Sequence, residues 1–464
     1  MATAGTEVKY LNLDIPRKIV FALLFLLLFL LPALSYAGPS GKGGSSYWIK
    51  KLSKPDEAIL NAGQIKVFND LTTDGVDGMA DFQSMPDIIS GQRVFEWIWT
   101  DLLVDPLAKY DSRGRALPEG FFEELAWNMD FEDIPEDVEV RFGVITGRAD
   151  VRGLPTDVAL LPKPGRAEFD MIQYSSLYPA ERVALLHTSR DNEWGFFQTG
   201  TFRGWIRMDR VAFGEREEVI DVDDGPFVVV TGSKVRVYND RSMKELAGEA
   251  AMGRALYLTA KKTANSPWAV RFPVRDGQGA LEWKEAYIHP RADVHQGFLP
   301  YTRRNIIKQA FKMLGEEYGW GGRDGLRDCS LFIQDVFATV GLKLPRNSRY
   351  QGLSGDVMAH RDDYGTRDDV TMALKHADPG TTLLTLSGHV MLHIGNVKGK
   401  PFVIHQIFGY ADRRGMKRIG KVAVTGLDLG SRSAIGPMKK RLRGINRVTV
   451  PAQYGAKVIF DKST

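Results

Sequence analysis

Residues 327–332 read RDCSLF, and they contain Cys329, the one cysteine of the 464-residue chain. Apolar residues recur after the cysteine at helical spacing, at Phe332, Ile333 and Val336, so a helix is predicted to begin at Cys329. Unpaired backbone N–H groups at the start of a helix lower the pKa of a thiol, which makes Cys329 a candidate nucleophile. A lone cysteine is also often a small buried apolar residue, so this stretch alone supports both interpretations.

Two histidines on predicted strands supply the partners that a nucleophilic thiol needs. His389 begins one strand-like stretch, residues 389–395, and His405 lies on the next, residues 402–407. Because consecutive strands are usually neighbours in a sheet, His405 is expected to hydrogen-bond His389 and to fix its tautomer. His393 follows His389 by four residues, a spacing that would suit two metal ligands on a helix, but the strand pattern favours a structural role. No metal site and no cofactor are therefore predicted.

The N-terminal segment has the three parts of an export signal. Arg17 and Lys18 precede residues 19–31, which include no polar side chain, and a small-x-small site follows at residues 35–37. The apolar run is shorter than the ~20 residues of a membrane-spanning helix, which favours cleavage over an uncleaved membrane anchor. We therefore predict that residues 1–37 are a signal peptide, that the chain acts in the periplasm, and that it has no stable membrane insertion after cleavage.

The composition is that of a globular protein with several domains. Apolar residues make up 44% of the chain and charged residues 25%, so large cores can form and extensive disorder is not expected. A formal charge of +4 is too weak to indicate nucleic acid as a partner. A single cysteine excludes an internal disulfide.

Changes in the sequence pattern predict a multidomain α+β protein. A helical region spans residues 38–138, and two small β-barrels in tandem span residues 139–215 and 216–295. Short β-prone runs such as residues 182–188 are separated by Gly, Pro and Asp-Asn turns in these two regions, which suits about five strands in each barrel. Residues 296–464 have helices followed by strands, which is typical of an α+β domain.

Two helices are predicted from local signals. Residues 88–102 (IISGQRVFEWIWTDL) carry apolar groups at near-helical spacing. Thr302 is expected to cap a helix that ends at Gly315. The helical region contains no clustered polar residues, so a packing or stabilising role is expected for it.

Four stretches together resemble the NlpC family of cell-wall cysteine peptidases, whose core is papain-like. They are residues 318–322 (YGWGG), 328–330 (DCS), 388–395 (GHVMLHIG) and 403–405 (VIH). This similarity covers about residues 296–464. Residues 140–289 resemble the paired bacterial SH3-like domains of one branch of the family, and the helical region resembles the stabilising domain of that branch.

The resemblance implies a reaction and a set of catalytic residues. The reaction would be hydrolysis of the γ-D-glutamyl–diamino-acid bond in peptidoglycan stem peptides that have a free N-terminal L-alanine. Cys329 would be the nucleophile, His389 the base and His405 the orienting residue. Tyr318 matches the tyrosine that assists the oxyanion. The expected partners are peptides derived from peptidoglycan, and a monomer is expected.

The resemblance also implies a substrate groove. Asp328 would bind the α-amine of the N-terminal L-alanine, since a buried cation needs a paired carboxylate. Its alternative role is to cap the helix, and both roles are compatible. The first barrel would close the groove through Asp170. The groove residues implied are Asp328, Ser330, Trp320, Arg346, Ser348 and Asp170.

Two positions depart from the family pattern, and one charged cluster has no assigned role. Leu331 stands where the family usually has glycine, so its side chain either narrows the groove or packs beneath it. Thr381 replaces an acidic residue. The cluster of Lys439, Lys440, Arg441, Arg443 and Arg447 could attract anionic wall polymers, but a solvated face is favoured.

Two other functions fit parts of the sequence. A papain-like relative could instead be an amidase that cuts the muramoyl–L-alanine bond. A groove closed by a barrel would disfavour that reaction, because it would require a free N-terminus. A non-catalytic wall-binding protein is the other alternative, and the joint presence of Cys329, His389 and His405 argues against it.

Overall fold

The computed structural model describes residues 43–102, 109–164, 168–220, 225–361 and 366–451. The predicted signal peptide, residues 1–37, lies outside these ranges. Residues from Gly44 onward belong to one compact unit. Among the described helices, none has both the length and the apolar character that crossing a membrane requires.

The helices of the described residues are short. They are α1 (Ser45–Ile49), α2 (Ala62–Gly75), α3 (Gly91–Thr100), α4 (Phe121–Asn128), α5 (Arg216–Val219), α6 (Arg303–Lys312), α7 (Cys329–Ala338), α8 (Ser348–Gln351), α9 (Arg367–Lys375) and α10 (Met438–Arg441). Single 3-10 turns occupy Phe131–Asp133 and Met208–Arg210, and Trp320–Gly325 is a kinked segment of two 3-10 turns.

The strands fall into groups along the chain. The first group is β1 (Ile88–Ser90), β2 (Asp137–Glu139), β3 (Arg141–Ile145), β4 (Ala149–Arg152), β5 (Gln173–Leu177), β6 (Arg182–Thr188), β7 (Trp194–Thr199), β8 (Arg203–Arg207) and β9 (Val211–Phe213). The second is β10 (Phe227–Val230), β11 (Lys234–Tyr238), β12 (Leu246–Ala251), β13 (Ala255–Tyr257), β14 (Trp268–Arg275), β15 (Leu281–Ile288) and β16 (Val294–Gln296). The third is β17 (Asp356–His360), β18 (Thr382–Leu386), β19 (His389–Val397), β20 (Lys400–Asp412), β21 (Gly415–Gly426) and β22 (Gly444–Arg447).

Strands β3 to β9 form one sheet in the order β5-β4-β8-β7-β6-β3-β9. The predicted run at residues 182–188 is strand β6. The inner faces bury large aromatic side chains, including Phe197 and Trp205, neither of which is exposed. The following strands form a three-stranded sheet, β13-β10-β16, and a four-stranded sheet, β12-β11-β15-β14, around a separate aliphatic core.

The C-terminal region is a helix pair packed against an antiparallel sheet with the order β17-β22-β18-β19-β20-β21. Thr302 caps α6 as predicted, because its side chain accepts a hydrogen bond from the Asn305 N–H. The helix predicted at Cys329 is α7, which begins at the cysteine and packs on β19 and β20. The order of helices and strands in this region confirms the α+β prediction for it.

Buried charges hold helix α7 against the first β-rich region, which is strands β3 to β9, and the second, which is strands β10 to β16. Asp335 of α7 accepts from Arg327 at 2.7 Å and pairs with Arg254, which follows β12. Arg254 also pairs with Glu181 at 2.8 Å, next to β6. Since breaking a buried ion pair costs about 3–5 kcal/mol, these links fix the helix that carries Cys329 against its neighbours.

The N-terminal segment, the described residues before β2, is not helical throughout residues 88–102 as predicted. Ile88–Ser90 is strand β1, paired with Asp137–Glu139, and helix α3 begins only at Gly91. Apolar residues of this segment pack into the cores of other regions. Trp48 contacts Phe402 of β20, with ring centroids 5.4 Å apart, and Ile98 is buried with the first β-rich region. The N-terminal segment therefore packs on both the first β-rich region and the C-terminal sheet.

Candidate active site

Cys329 is the first residue of α7, and its thiol lies beside Val390, near the start of β19. Asp328 caps the helix by accepting a hydrogen bond from the Leu331 N–H at 3.0 Å. The backbone N–H groups of Val390 and Ser330 interact with the sulfur and favour its charged form. The cysteine is 7% exposed, so it lies at the bottom of a site rather than on the surface.

The resting thiol is neutral. Burial raises the pKa of Cys329 to about 12, and the nearby Asp328 carboxylate contributes to the rise. Arg346 and the two backbone N–H groups oppose it, but burial dominates. Formation of a thiolate at neutral pH therefore needs a base in contact with the attacking group.

His389 is the first residue of β19, and its ring is held by His405 of β20. The two imidazoles are joined by a 2.8 Å contact between His389 Nε2 and His405 Nδ1. Leu392 pairs with Ile404 across the two strands, and successive side chains of a strand alternate between the two faces of the sheet. His389 and His405 therefore both project from the face opposite to the side chains of Leu392 and Ile404. The contact expected from the sequence between these histidines is therefore present.

Thr425 extends this line of polar groups. Its Oγ1 lies 3.0 Å from His405 Nε2, on the far side of the ring from His389. If His389 donates its Nε2–H to His405 and His405 donates its Nε2–H to Thr425, Nδ1 of His389 carries no proton. That tautomer is the one that a general base requires.

Burial keeps both histidines uncharged. Burial, together with the positive charge of Arg441, lowers the pKa of His389 to about 4, while Asp328 opposes the shift. Burial and the neighbouring His389 hold the pKa of His405 well below its usual value. Both rings are therefore neutral near pH 7, and the site pairs a neutral thiol with a neutral base.

His393 has a structural position, as its strand context predicted. It is fully buried, and its Nδ1 lies 3.1 Å from the carbonyl oxygen of Phe402. In the parts of the chain that the structure describes, no three His, Cys, Asp or Glu side chains approach one another as metal ligands would.

Tyr318 is the first residue of a glycine-rich loop, residues 318–322 (YGWGG), that lines the site. Burial raises the pKa of Tyr318 far above its usual value, and negative charge on the Cys329 sulfur, once it is a thiolate, and on Asp328 raises it further. The phenol therefore keeps its proton and can donate a hydrogen bond to a developing oxyanion. Its ring packs edge-on against Phe408, at a centroid distance of 5.7 Å.

Asp328 is the centre of a buried polar cluster. One carboxylate oxygen accepts from the Leu331 N–H and from the Ser330 hydroxyl, and the other accepts from the Gly321 N–H at 3.1 Å. Arg346 forms an ion pair with the same carboxylate and also donates to Ser330 Oγ at 2.6 Å. The capping role predicted for Asp328 is therefore present, and its charge is balanced by Arg346 in the unliganded site.

The first β-rich region meets the glycine-rich loop at three points. Trp320 donates its indole N–H to the carbonyl oxygen of Asp170 at 2.9 Å, and Gln173 donates to the carbonyl of Gly321 at 3.0 Å. The Phe169 ring lies 5.2 Å from the Trp320 ring. These contacts close one side of the site with residues from outside the C-terminal region.

The Asp170 side chain is used within its own region. It is 3% exposed and pairs with Arg152 at 2.9 Å. Its Oδ1 also accepts from the backbone N–H groups of Leu160 and Ile172. The groove contribution expected of Asp170 is therefore carried by its carbonyl oxygen, which holds Trp320, and not by its carboxylate.

An open cleft of about 570 Å³ leads to His389. Tyr318, Trp320 and His389 line it, whereas Asp328, Cys329, Ser330 and Arg346 are buried and are not among the described residues that line it. Two further positions are not among the described residues that line the cleft. Ser348 is half-buried at the start of α8, and Leu331 is 3% exposed, so Leu331 packs beneath the groove.

The sequence alone did not identify Thr425 or Arg441 as parts of the site. Thr425 reaches His405 because β20 and β21 pair with Val403 opposite Thr425, a register that has no local sequence signal. Arg441 was noted only as one member of a basic cluster. Its proximity to the cleft depends on how the chain returns after β21.

A thiol at the start of a helix, a histidine at the start of a strand that packs on this helix and a second polar group in contact with that histidine are the groups that a cysteine peptidase needs. Comparison with known proteins agrees with this class. The NlpC/P60 family profile matches residues 315–411, and the profile of the SH3 domain of SH3b1 type matches residues 162–207. The chain therefore contains an NlpC/P60 family domain of the cysteine peptidase class, preceded by an SH3b domain.

Individual relatives are distant. A γ-D-glutamyl-L-lysine dipeptidyl-peptidase of Bacillus cereus is 28% identical over 156 residues, which are 33% of this chain and 44% of that protein. The chain thus matches less than half the length of this curated relative. A solved NlpC/P60 endopeptidase of Photobacterium damselae subsp. piscicida superposes with a TM-score of 0.69 at 18% identity. That superposition covers 88% of this chain and 97% of the other, so the two share an overall fold.

Proposed function

We propose that this chain is a cysteine endopeptidase that hydrolyses the γ-D-glutamyl–diamino-acid bond of peptidoglycan stem peptides. The observation that carries the proposal is the 2.8 Å contact between the His389 and His405 imidazoles, at the start of the strand whose Val390 N–H interacts with the Cys329 sulfur. A neutral base oriented by a second ring, next to a thiol at a helix start, is suited to thiol-mediated acyl transfer.

The reaction proceeds in two halves. His389 takes the thiol proton as the sulfur of Cys329 attacks the γ-carbonyl carbon, and the oxygen becomes an oxyanion. Backbone N–H groups at the start of α7 and the Tyr318 hydroxyl stabilise that charge. His389 then gives its proton to the leaving amine, and the C–N bond breaks. One water molecule, deprotonated by His389, hydrolyses the thioester and restores the thiol.

The closed side of the site supports a short acyl group with a free amine. Phe169 contacts Trp320 and also Phe408, at a centroid distance of 4.6 Å, so a residue from outside the C-terminal region narrows the cleft. A stem peptide still attached to glycan would have to pass this contact. An N-terminal ammonium would meet the Asp328 cluster, where substrate binding can compete with Arg346 for the carboxylate.

The proposed substrate places the reaction outside the cytoplasm. The export signal predicted at residues 1–37 would direct the chain to such a location, the NlpC/P60 domain also supports it, and we propose that the enzyme acts in the periplasm as a monomer. The named activity of the Bacillus cereus relative, on a γ-D-glutamyl-L-lysine bond, is of the same chemical type.

The proposal is tested by identifying the bond that is cut. Purified protein is incubated with L-Ala-γ-D-Glu-meso-diaminopimelate and with the same peptide carrying an N-terminal muramoyl group. Mass spectrometry is expected to detect L-Ala-D-Glu and free diaminopimelate from the first peptide, with little turnover of the second. Release of the muramoyl group with an intact peptide would instead identify an amidase and would contradict the proposal.

A further inference from the structure

The cleft beside His389 is strongly basic on one side. Four cations line it: Arg361, Lys440, Arg441 and Arg443. The described residues that line it include no aspartate or glutamate. A concave wall with charges of one sign favours a ligand of the opposite charge, because the surrounding low-dielectric walls concentrate the field.

These cations are fixed by the fold. Met438 and Leu442 anchor the segment at both ends of α10, with exposures of 3% and 2%. The Arg443 N–H donates to the carbonyl of Thr385 at 2.8 Å, and the Arg361 N–H donates to the carbonyl of Arg443 at 2.8 Å. The backbone that presents the charges is thus joined to the same sheet that carries His389.

The basic cluster noted in the sequence divides into two groups with different surroundings. Lys439 pairs with Asp428 at 2.6 Å, and Arg447 pairs with Asp356 and Asp378. Neither of these two cations is among the described residues that line the cleft. Arg441 does line it, and its buried Nε has no hydrogen-bond partner among the described residues.

The chemistry of the reaction identifies which part of the substrate meets these charges. His389 must donate its proton to the leaving amine, so the leaving amino acid lies over His389 rather than over Asp328. The Arg441 charge acts directly on His389. The Asp328 cluster is buried and is not among the described residues that line the cleft, which leaves the basic wall for the leaving residue.

We propose that Lys440 and Arg441, with Arg361 and Arg443 beside them, form a carboxylate subsite for the leaving diamino acid. The subsite makes the enzyme prefer a diamino acid that has a second carboxylate on its side chain over one, such as lysine, that ends in an ammonium alone. This inference rests on the proposed function, and it adds the identity of the preferred diamino acid.

Attraction and repulsion both contribute to the preference. A guanidinium binds a carboxylate through charge-assisted hydrogen bonds, which are about twice as strong as neutral ones. The ammonium of a lysine residue would meet Lys440 and Arg441 with the same sign of charge, and like charges at a binding site discriminate against the wrong ligand.

The test compares two peptides, L-Ala-γ-D-Glu-meso-diaminopimelate and L-Ala-γ-D-Glu-L-Lys, by steady-state kinetics. The wild-type protein is expected to favour the diaminopimelate peptide about tenfold or more in kcat/KM, since each charge-assisted contact corresponds to about that factor. Lys440→Ala and Arg441→Gln should each reduce this preference, mainly through a higher KM for the diaminopimelate peptide. Lys440→Glu should shift the preference toward the lysine peptide.

Lys439→Ala is the matched control, because Lys439 is on the same helix turn but pairs with Asp428 away from the cleft. It should leave both kcat/KM values unchanged. Lys440 is exposed, so its variants should keep the melting temperature of the wild type. Equal kcat/KM for the two peptides in the wild type, or an unchanged preference in both Lys440→Glu and Arg441→Gln, would overturn the subsite while leaving the peptidase assignment intact. Cleavage of neither peptide would overturn both proposals.

Discussion

His389 Nε2 and His405 Nδ1 lie 2.8 Å apart, and Thr425 Oγ1 lies 3.0 Å from the other nitrogen of His405. His405 is fully buried, so this line of groups is shielded from water. The second histidine has no charge to offer at neutral pH, because burial holds its pKa well below the usual value. It therefore acts by orienting His389 and selecting its tautomer.

Replacing His405 should lower turnover more than substrate binding. In His405→Ala, His389 loses the partner of its Nε2–H, and its ring is free to rotate away from the thiol. We expect kcat to fall roughly 100- to 1,000-fold, the range of a general-base contribution, with KM changed little. His405→Asn keeps an amide oxygen as acceptor and should recover part of kcat. A kcat within twofold of the wild type in His405→Ala would contradict the orienting role.

Thr425 should have a smaller effect of the same kind. Thr425→Val keeps the shape of the side chain but removes the oxygen next to His405 Nε2, so the second ring loses the contact that selects its tautomer. We expect kcat to fall about tenfold, in line with the loss of an outer partner of a functional histidine. Steady-state kinetics at a single pH provide the comparison, and an unchanged kcat would show that Thr425 has no part in orienting the ring.

The pH profile should have an unusually acidic lower limb. His389 must be neutral to accept the thiol proton, and its pKa is lowered to about 4 by burial and by Arg441. Activity should therefore persist from neutral pH down to about pH 5 and be lost as the pH falls through about 4. Arg441→Gln removes a positive charge, so it should raise the pKa of His389 and move the limb to higher pH. A wild-type limb near the ordinary histidine value of about 6.5 would contradict this environment for His389.

Gly321 should tolerate no side chain. Its φ is +59°, and a Cβ at this position would lie 2.2 Å from the carbonyl oxygen of Gln173. Gly321→Ala is therefore expected to push the loop away from the first β-rich region, break the contact between Trp320 and Asp170, and lower kcat/KM at least tenfold. A left-handed conformation alone costs a non-glycine residue about 1–3 kcal/mol.

Gly399→Ala separates strain from steric overlap. Gly399 has a φ of +72°, but a Cβ there would meet no atom within 4 Å. This variant should lower the melting temperature slightly and leave kcat/KM near the wild-type value. If Gly321→Ala behaved like Gly399→Ala in both measurements, close packing of the loop on Gln173 would not be required for activity.

Arg346 should be needed for stability because of Asp328. Arg346→Met leaves the Asp328 carboxylate buried without its cation, which should lower the free energy of unfolding by about 3–5 kcal/mol. Urea unfolding measures the loss. Asp328→Asn in the same chain removes the uncompensated charge, so the double variant should be more stable than Arg346→Met alone. Additive losses would show that the two side chains are not coupled.

The positions of Cys329, His389 and His405 could be predicted because the sequence carries local signals for the elements that hold them. The helix at Cys329 follows from apolar spacing and from the capping residue Asp328. His389 and His405 lie on consecutive strands, and consecutive strands are usually paired, so their contact could be expected.

The other parts of the site depend on contacts between distant segments, which no local pattern encodes. Thr425 reaches His405 through the register of β20 and β21, and Arg441 reaches the cleft through the path of the chain after β21. Asp170 was assigned to the groove from the resemblance alone, and its carboxylate instead pairs with Arg152 inside the first β-rich region. The apolar spacing at residues 88–90 predicts a helix, but these residues form a strand because they pair with β2.

The central claim is that the Cys329 sulfur attacks the substrate, with His389 as its base. The most direct measurement is the digestion of L-Ala-γ-D-Glu-meso-diaminopimelate by the wild-type protein and by Cys329→Ala at equal concentration, followed by mass spectrometry. The cysteine is nearly buried and the substitution is small, so the variant should keep its fold, as the melting temperature will show. The account predicts L-Ala-D-Glu and diaminopimelate from the wild type and neither product from folded Cys329→Ala. Equal product from both proteins would contradict it.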